Sequence, residues 1–224
     1  MYIKKLYFAL LLVPAFNSNA LPILAGDDHL YHNGAPFGEW SNTTRYQQIY
    51  ISSIFSSSGY LESMAFAPIR DGYFSADITI KLSYSDKSIG NLSTDLESNI
   101  LTGSQAVVFS QSGFYQDVTG GTENFSLLFD FGHNDFFYDP TMGNLLLDIA
   151  ISNVDQNGIS AVSADRTDTY TSRSYTRLDS PPLADEIGLR TMFELTPTQV
   201  PEPATFWLFG LSMLGLFGFK RKLC

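Results

Sequence analysis

The stretch FSADITIKLSYS at residues 74–85 decides the class of fold. Its apolar and polar residues alternate without a break from Phe74 to Ser85. A period of two is typical of a strand with one buried and one solvated face, because successive side chains point to opposite sides of a sheet. We therefore predict a half-buried β-strand over these residues.

The same alternation returns on both sides of this stretch, notably at 125–131 and 145–152. Turn signals such as Asp71-Gly72 and Gly120-Gly121 separate the candidate strands, and the middle of the chain has no run with a helical period. Further candidate strands lie at 46–51, 61–66, 106–110, 159–164, 170–177 and 188–195. Many short antiparallel strands with one polar face predict an all-β fold, an antiparallel β-sandwich of jelly-roll-like form.

The charge of the chain excludes one class of partner. The formal net charge is −10, and residues 21–199 hold 22 Asp and Glu against 8 Lys and Arg, a net charge of −14. Nucleic-acid binding needs clustered cations that displace counterions from phosphate, so no nucleic-acid partner is expected. The single cysteine, Cys224, forms no intramolecular disulfide, and the sequence offers no reason for it. We predict one domain at 21–195 that relies on its hydrophobic core.

The N-terminus has the features of a secretory signal peptide. Lys4-Lys5 precedes an apolar run at 6–16, and Ser18 and Ala20 supply the small residues that signal peptidase reads. We predict a signal peptide at 1–20 that is cleaved after Ala20. A membrane anchor is the alternative, but this apolar run would span only about 16 Å as a helix.

Three features follow one another at the C-terminus. The tetrapeptide Val200-Pro201-Glu202-Pro203 stays extended, because its prolines do not fit a helix interior. Residues 204–219 carry no charge and predict one transmembrane helix of about 24 Å, followed by the basic residues Lys220, Arg221 and Lys222. The expected topology is an exported domain, a linker at 196–203, a single span and a cytoplasmic tail at 220–224.

This end of the chain resembles the PEP-CTERM sorting signal of bacterial exported proteins. The resemblance rests on Pro201-Glu202-Pro203, the apolar stretch and the basic tail, in that order. It implies that an exosortase, a membrane transpeptidase, is the processing partner, besides signal peptidase. It also implies a transient stay in the inner membrane before delivery to the cell surface, envelope or exopolysaccharide matrix. An ordinary C-terminal anchor is the alternative.

Four further stretches resemble stretches that recur in one group of PEP-CTERM ectodomains. They are RYQQIY at 45–50, AFAP at 65–68, FFYDP at 136–140 and GNLLLD at 143–148. This second resemblance implies a single domain and no known activity.

One polar cluster is a candidate ligand site. It comprises Asp130, His133, Asn134, Asp135 and Asp139, which alternate with aromatic residues. Oxygen ligands beside exposed rings would suit calcium and a stacked sugar. The favoured alternative is that the carboxylates cap turns and the aromatic residues fill the core. A glycosidase would need two carboxylates about 5 to 9 Å apart, which the sequence does not show. We assign no catalytic residue and expect no enzyme activity.

Two weaker metal motifs remain. Residues 153–158 match the first half of an EF-hand loop, but Ala164 occupies the position of the bidentate glutamate. A hairpin that turns on Asn157-Gly158 is favoured. His29 and His32 have a spacing that suits a transition metal, although such a terminal segment more often stays solvated. We expect no cofactor, with calcium as the open candidate.

A predicted signal peptide and a predicted sorting signal flank an acidic β-domain. Together they favour an exported, non-enzymatic protein of the cell surface or matrix, with a structural or adhesive role. A carbohydrate- or calcium-binding module is the alternative from a different class. A glycan hydrolase is the less favoured third.

Overall fold

The computed structural model describes residues 20–26, 31–38, 43–132, 136–157, 159, 161–163 and 170–198. These residues are all-β, and their helical content is two 3₁₀ turns at Ser52–Ile54 and Leu96–Asn99. The strands are β1 Leu21–Ala25, β2 Tyr31–Asn33, β3 Thr43–Tyr50, β4 Gly59–Phe66, β5 Gly72–Ser85, β6 Ala106–Val118, β7 Leu127–Asp130, β8 Phe136–Tyr138, β9 Asn144–Asn157, β10 Ala161–Ser163, β11 Thr171–Arg177, β12 Ser180–Asp185 and β13 Thr191–Pro197.

Every strand that the sequence predicts has a counterpart. The alternating stretch at 74–85 forms most of β5, and buried and half-buried residues alternate as predicted from Phe74 to Leu82. The prediction is wrong for the last three residues, because Ser83 and Ser85 are buried and Tyr84 is half-buried. The connection to β6 covers this end of the strand, where the Ser85 hydroxyl donates to the carbonyl oxygen of Asn99. Strand β6 runs eight residues past the predicted end at 110, because residues 111–118 continue to pair with β5 on both sides of a bulge at Ser112 and Gly113. The strands without a predicted counterpart are β1, β2, β8 and β12.

Two antiparallel sheets contain most of the strands. The five-stranded sheet has the order β1-β13-β4-β7, and β8 also pairs with β4, next to β7. The six-stranded sheet has the order β12-β11-β3-β9-β5-β6. Strands β2 and β10 form a separate antiparallel pair.

The chain alternates between the two large sheets. We number eight strand positions in chain order, leaving out β2, β10, β11 and β12 and counting β7 and β8 as one. Positions 1 to 5 are β1, β3, β4, β5 and β6, and positions 6 to 8 are β7 with β8, β9 and β13. The five-stranded sheet then has the order 1-8-3-6, and the six-stranded sheet contains the order 2-7-4-5. Among these positions, only 4 and 5, strands β5 and β6, are consecutive and paired in the same sheet. Strands β11 and β12, which the numbering leaves out, are a second such pair. Neither sheet is therefore a continuous segment of sequence.

Aromatic side chains from both sheets form the core between them. Phe129 on β7 lies at the centre of one cluster, with its ring centroid 5.2 Å from that of Phe114 and 5.4 Å from that of Phe109, both on β6. Tyr50 on β3 packs edge-on against Phe193 on β13 at 4.9 Å. These contacts join the sheets face to face in a sandwich-like arrangement.

The predicted signal peptide and transmembrane helix lie almost entirely outside the described residues. The described part of the chain has no helix long and apolar enough to cross a membrane. The predicted span at 204–219 and the signal peptide, except Ala20, lie outside the described residues.

Replacement of Phe129 should separate core packing from surface effects. Phe129 is fully buried, so Phe129→Ala removes its ring contacts and leaves a cavity, which should lower the free energy of unfolding by about 3 to 5 kcal/mol. The matched control is Leu128→Ala, because Leu128 is the exposed neighbour on the same strand. Urea unfolding measures both. Equal losses for the two variants would contradict the register of β7.

Candidate functional site at the exit of the C-terminal segment

The two ends of the described domain meet at one place. Leu21, the first residue after the predicted cleavage site, pairs with Leu195 near the end of β13. Beyond β13, the backbone N–H of Thr198 donates to the carbonyl oxygen of Ser58 at 3.2 Å. We call this end of the five-stranded sheet, formed by Leu21, Gly59, Tyr138 and Pro197, the exit end.

A glycine allows β4 and β13 to meet at the exit end. Gly59 pairs with Pro197 on one side and with Tyr138 on the other. A Cβ at Gly59 would collide with the carbonyl oxygen of Thr196. Only a residue without a side chain permits this close approach, so Gly59 helps to fix the position from which the C-terminal segment leaves.

The described members of the candidate calcium loop bind their own backbone. Asp130 accepts a hydrogen bond from the N–H of Gly132 at 2.8 Å. Asp139 accepts from the N–H of Thr141 at 2.9 Å and from its hydroxyl at 2.8 Å. These bonds stabilise the carboxylate and lower the pKa of Asp139. Both residues cap turns, as the favoured alternative predicts.

The aromatic residues of this loop divide between core and surface. Phe131, Phe136 and Tyr138 are buried, whereas Phe137 is exposed and packs against Tyr60. His133, Asn134 and Asp135 lie outside the described residues, so calcium binding here stays a prediction.

The half-motif at 153–158 has a different structure from an EF-hand loop. Residues 153–157 belong to β9, and Asp155 and Asn157 pair with Ser75 and Tyr73 of β5. The predicted hairpin on Asn157-Gly158 is wrong, because the next strand, β10, pairs with β2 instead of β9.

A local irregularity in β9 accounts for the first residue of that half-motif. Asn153 has a positive φ of 51°, and its Nδ2 donates to Oδ2 of Asp77 at 2.5 Å. Asp77 also accepts from the N–H of Gly113 at 2.7 Å, and these two bonds lower its pKa. Asp77 thus ties β5 to bulged positions on both neighbouring strands.

The histidines do not form a described metal centre. Within the described residues, no group of three or more His, Cys, Asp or Glu side chains is placed to hold a metal ion. His29 and His133 lie outside these residues, and His32 lies in β2, where it pairs with Val162.

Sequence reasoning missed an ionic network on the outer face of the six-stranded sheet. Arg45 on β3 donates from Nε to Asp148 Oδ1 at 2.8 Å and from Nη2 to Asp148 Oδ2 at 2.5 Å. Its Nη1 also donates to Glu97 at 2.6 Å. These contacts, with the Asp148 hydrogen bond first among them, raise the pKa of Arg45 despite partial burial. Asp148 is buried on β9, so it depends on this cation for its charge balance.

The same network holds the long connection between β5 and β6 against the sheet. Gln47 donates to Asp148 at 3.1 Å and to the carbonyl oxygen of Leu96 at 3.0 Å. Asn99 donates to Gln47 at 2.9 Å. Beside it lies a small buried apolar cluster, formed by Ile49, Leu92 and Leu146. Two of the recurring stretches, RYQQIY and GNLLLD, therefore supply residues to a structural clamp.

A pair of tyrosines lies further along the same sheet. The rings of Tyr73 and Tyr115 stack at 5.7 Å between centroids, with 22° between their planes. Their hydroxyls donate to Asp155 at 3.3 Å and to Asp117 at 2.8 Å. The charge of Asp155 raises the pKa of Tyr73, and the bond to Asp117 raises that of Tyr115, so both hydroxyls remain protonated.

The exit end leads directly into a recognised sequence. Residues 199–222 match the family model of the PEP-CTERM protein-sorting motif. The chain carries a PEP-CTERM sorting motif. The match confirms the first resemblance and contains Val200, Pro201, Glu202 and Pro203, and the tail Lys220, Arg221 and Lys222, all outside the described residues. The PEP-CTERM segment thus begins next to Thr198, which is hydrogen-bonded to the domain.

Other comparisons add little about the domain that precedes the PEP-CTERM motif. No curated protein matches the chain. Among solved structures, it is similar to the structure of the infectious bursal disease virus Gt strain, at 14% identity and a TM-score of 0.17. That alignment covers 96% of this chain and 56% of the other. A similarity of this size carries no argument about fold or function.

Removal of one carboxylate should test the network on the outer face. Asp148→Ala leaves the partly buried Arg45 without its bidentate partner, so the free energy of unfolding should fall by about 3 kcal/mol. The matched control is Asp155→Ala on the same strand, because Asp155 is exposed and has a single long contact with Tyr73. Denaturant unfolding compares the two. A loss no greater than that of the control would contradict a structural role for the network.

Proposed function

We propose that this chain is a non-enzymatic exported protein of the cell surface or extracellular matrix, and a substrate of an exosortase. Signal peptidase removes residues 1–20, and residues 204–219 hold the precursor in the inner membrane. The exosortase then processes the C-terminal segment, and the domain at 21–195 is delivered to the envelope or an exopolysaccharide matrix. It acts there as a structural or adhesive component and needs no cofactor.

The sorting motif at 199–222 is the observation that carries this proposal. Its position after β13 also suits processing, because a protease-like enzyme needs an extended peptide outside the folded domain. Thr198 is the last described residue, and Pro201 follows three residues later. The motif therefore follows β13 directly in the sequence and begins within a few residues of the exit end.

One feature of the domain indicates the form of its sandwich, and a second favours a structural role. The strand order 1-8-3-6 and 2-7-4-5 favours a jelly-roll form of the sandwich, which we propose for this domain. The carboxylates Asp130 and Asp139 are engaged by turn backbone, which favours turn formation over acid–base chemistry.

The sorting proposal predicts the two termini of the mature protein. In the native host, the recovered protein should begin at Leu21 and end near Pro201-Glu202-Pro203. A strain without the exosortase should retain residues to Cys224, and so should the variant Pro201→Ala with Pro203→Ala, because these prolines keep the recognised peptide extended. Intact mass spectrometry measures each species.

The matched control is Pro181→Ala with Pro182→Ala, which changes two exposed prolines in β12. This control should be processed like the natural sequence. A full-length C-terminus in both the normal host and the exosortase-deficient strain would refute exosortase processing.

A second candidate function is polysaccharide binding, which the stacked Tyr73 and Tyr115 favour. Tyr115 is 58% exposed on the solvent side of the six-stranded sheet, beside the acceptors Asp117 and Asp155. Aromatic rings offer an apolar surface to a sugar ring, and neighbouring oxygen atoms bind its hydroxyls. The acidic domain would select a neutral polysaccharide.

The polysaccharide candidate predicts a loss of binding on removal of one ring. Tyr115→Ala should weaken binding of the host's neutral polysaccharide about two- to tenfold, since a ring contact is worth roughly 0.5 to 1.5 kcal/mol. Calorimetry measures this, with Val107→Ala on the same strand as the control. Titration with and without calcium tests the loop at 130–139 separately. Unchanged affinity of Tyr115→Ala would exclude the tyrosine pair.

A further inference from the structure

We propose that the exit end of the domain rests on the lipid–water interface of the membrane that holds its C-terminal segment. The partner is a neutral, zwitterionic lipid surface. This inference rests on the proposed function, because it requires residues 204–219 to anchor the precursor.

The short connection to the anchor places the exit end near the membrane. Thr198 is held by Ser58, so the sequence that leads to the apolar stretch begins at the exit end. Six peptide steps separate Thr198 from Ala204, where the apolar stretch begins. A fully extended chain of this length reaches about 20 Å, so the anchor keeps the exit end within that distance of the hydrocarbon.

Large apolar side chains are exposed at this end. Tyr60 pairs with Thr196 on one side and Phe137 on the other, one residue from the end of the sheet. Met142 lies in the turn that follows β8, where its N–H donates to the carbonyl oxygen of Asp139 at 3.0 Å. The exposed fractions are 46% for Leu21, 44% for Tyr60, 43% for Phe137 and 61% for Met142.

The chemistry of this surface suits the boundary between water and lipid. The rings of Tyr60 and Phe137 pack edge to face, with centroids 5.3 Å apart, and form one exposed aromatic pair. Tyrosine favours membrane interfaces, because its ring is apolar and its hydroxyl remains hydrated. Met142 adds a flexible apolar side chain that adapts to an irregular surface.

The charge of the domain limits the lipid that it accepts. A net charge of −14 over residues 21–199 repels an anionic surface, so a zwitterionic surface is the better partner. The contact need not be strong. Because the anchor is covalently attached, docking is intramolecular, and a short linker gives an effective concentration in the millimolar range.

Spin-label depth measurements on the full chain test this contact. The chain, with Cys224→Ser, is reconstituted in phosphatidylcholine vesicles, and a nitroxide is attached at Met142→Cys. The control site is Tyr115→Cys. Tyr115 pairs with Ser75, which lies ten residues along β5 from Ser85, a distance of about 33 Å. Ser85 pairs with Asn144, two residues after Met142, so the control site is far from the labelled one. Oxygen should relax the label at 142 more strongly than a water-soluble nickel complex does, while the label at 115 should behave as an aqueous site.

Sedimentation of the vesicles after an alkaline wash separates this inference from the proposed function. A chain that stays in the supernatant would contradict both the proposed membrane anchor and the proposed docking. A chain that sediments, but whose label at 142 is as accessible to the nickel complex as the label at 115, would contradict only the docking.

Two polar substitutions test the aromatic pair itself. Tyr60→Ser with Phe137→Ser should make the label at 142 as accessible to the nickel complex as the label at 115, while the chain still sediments with the vesicles. An unchanged depth would overturn the role of the pair. If the label leaves water only when exosortase is added, the surface belongs to the enzyme and the lipid proposal is wrong.

Discussion

The packing of aromatic rings between the two sheets supports everything else in this domain. Phe129 from one sheet meets Phe109 and Phe114 from the other, and Tyr50 meets Phe193 elsewhere in the same core. A protein destined for the cell exterior often has disulfides to reinforce its fold, but this chain has only Cys224. Burial of large rings therefore provides the stability that cross-links provide in other exported domains.

The six-stranded sheet extends this core to a second layer. Its inner face packs on the aromatic cluster, while its outer face carries Arg45 and Asp148, which clamp the connection between β5 and β6. The connection shields Ile49 and Leu146, two apolar residues that would otherwise face water. The sequence stretches at 45–50 and 143–148 thus have a structural explanation.

Period-two alternation predicted the strands with one solvated face, and β5 is the clearest case. It could not predict β1 or β8, which are too short for a periodic signal, or β12, whose Pro181 and Pro182 argue against a strand. Those prolines are tolerated because β12 is an edge strand. Among the candidate sites, the sorting motif was readable because its residues are contiguous. Arg45 and Asp148 lie 103 residues apart and meet only because β3 pairs with β9.

The pairing of β1 with β13 also sets the order in which the domain becomes complete. Leu21 leaves the ribosome 174 residues ahead of its partner Leu195. Since non-local pairs close slowly, the nascent chain has an incomplete five-stranded sheet during most of its translocation. This delay suits a channel that passes unfolded polypeptide. The last strand arrives just ahead of the sorting motif, so the motif emerges as the domain becomes able to close.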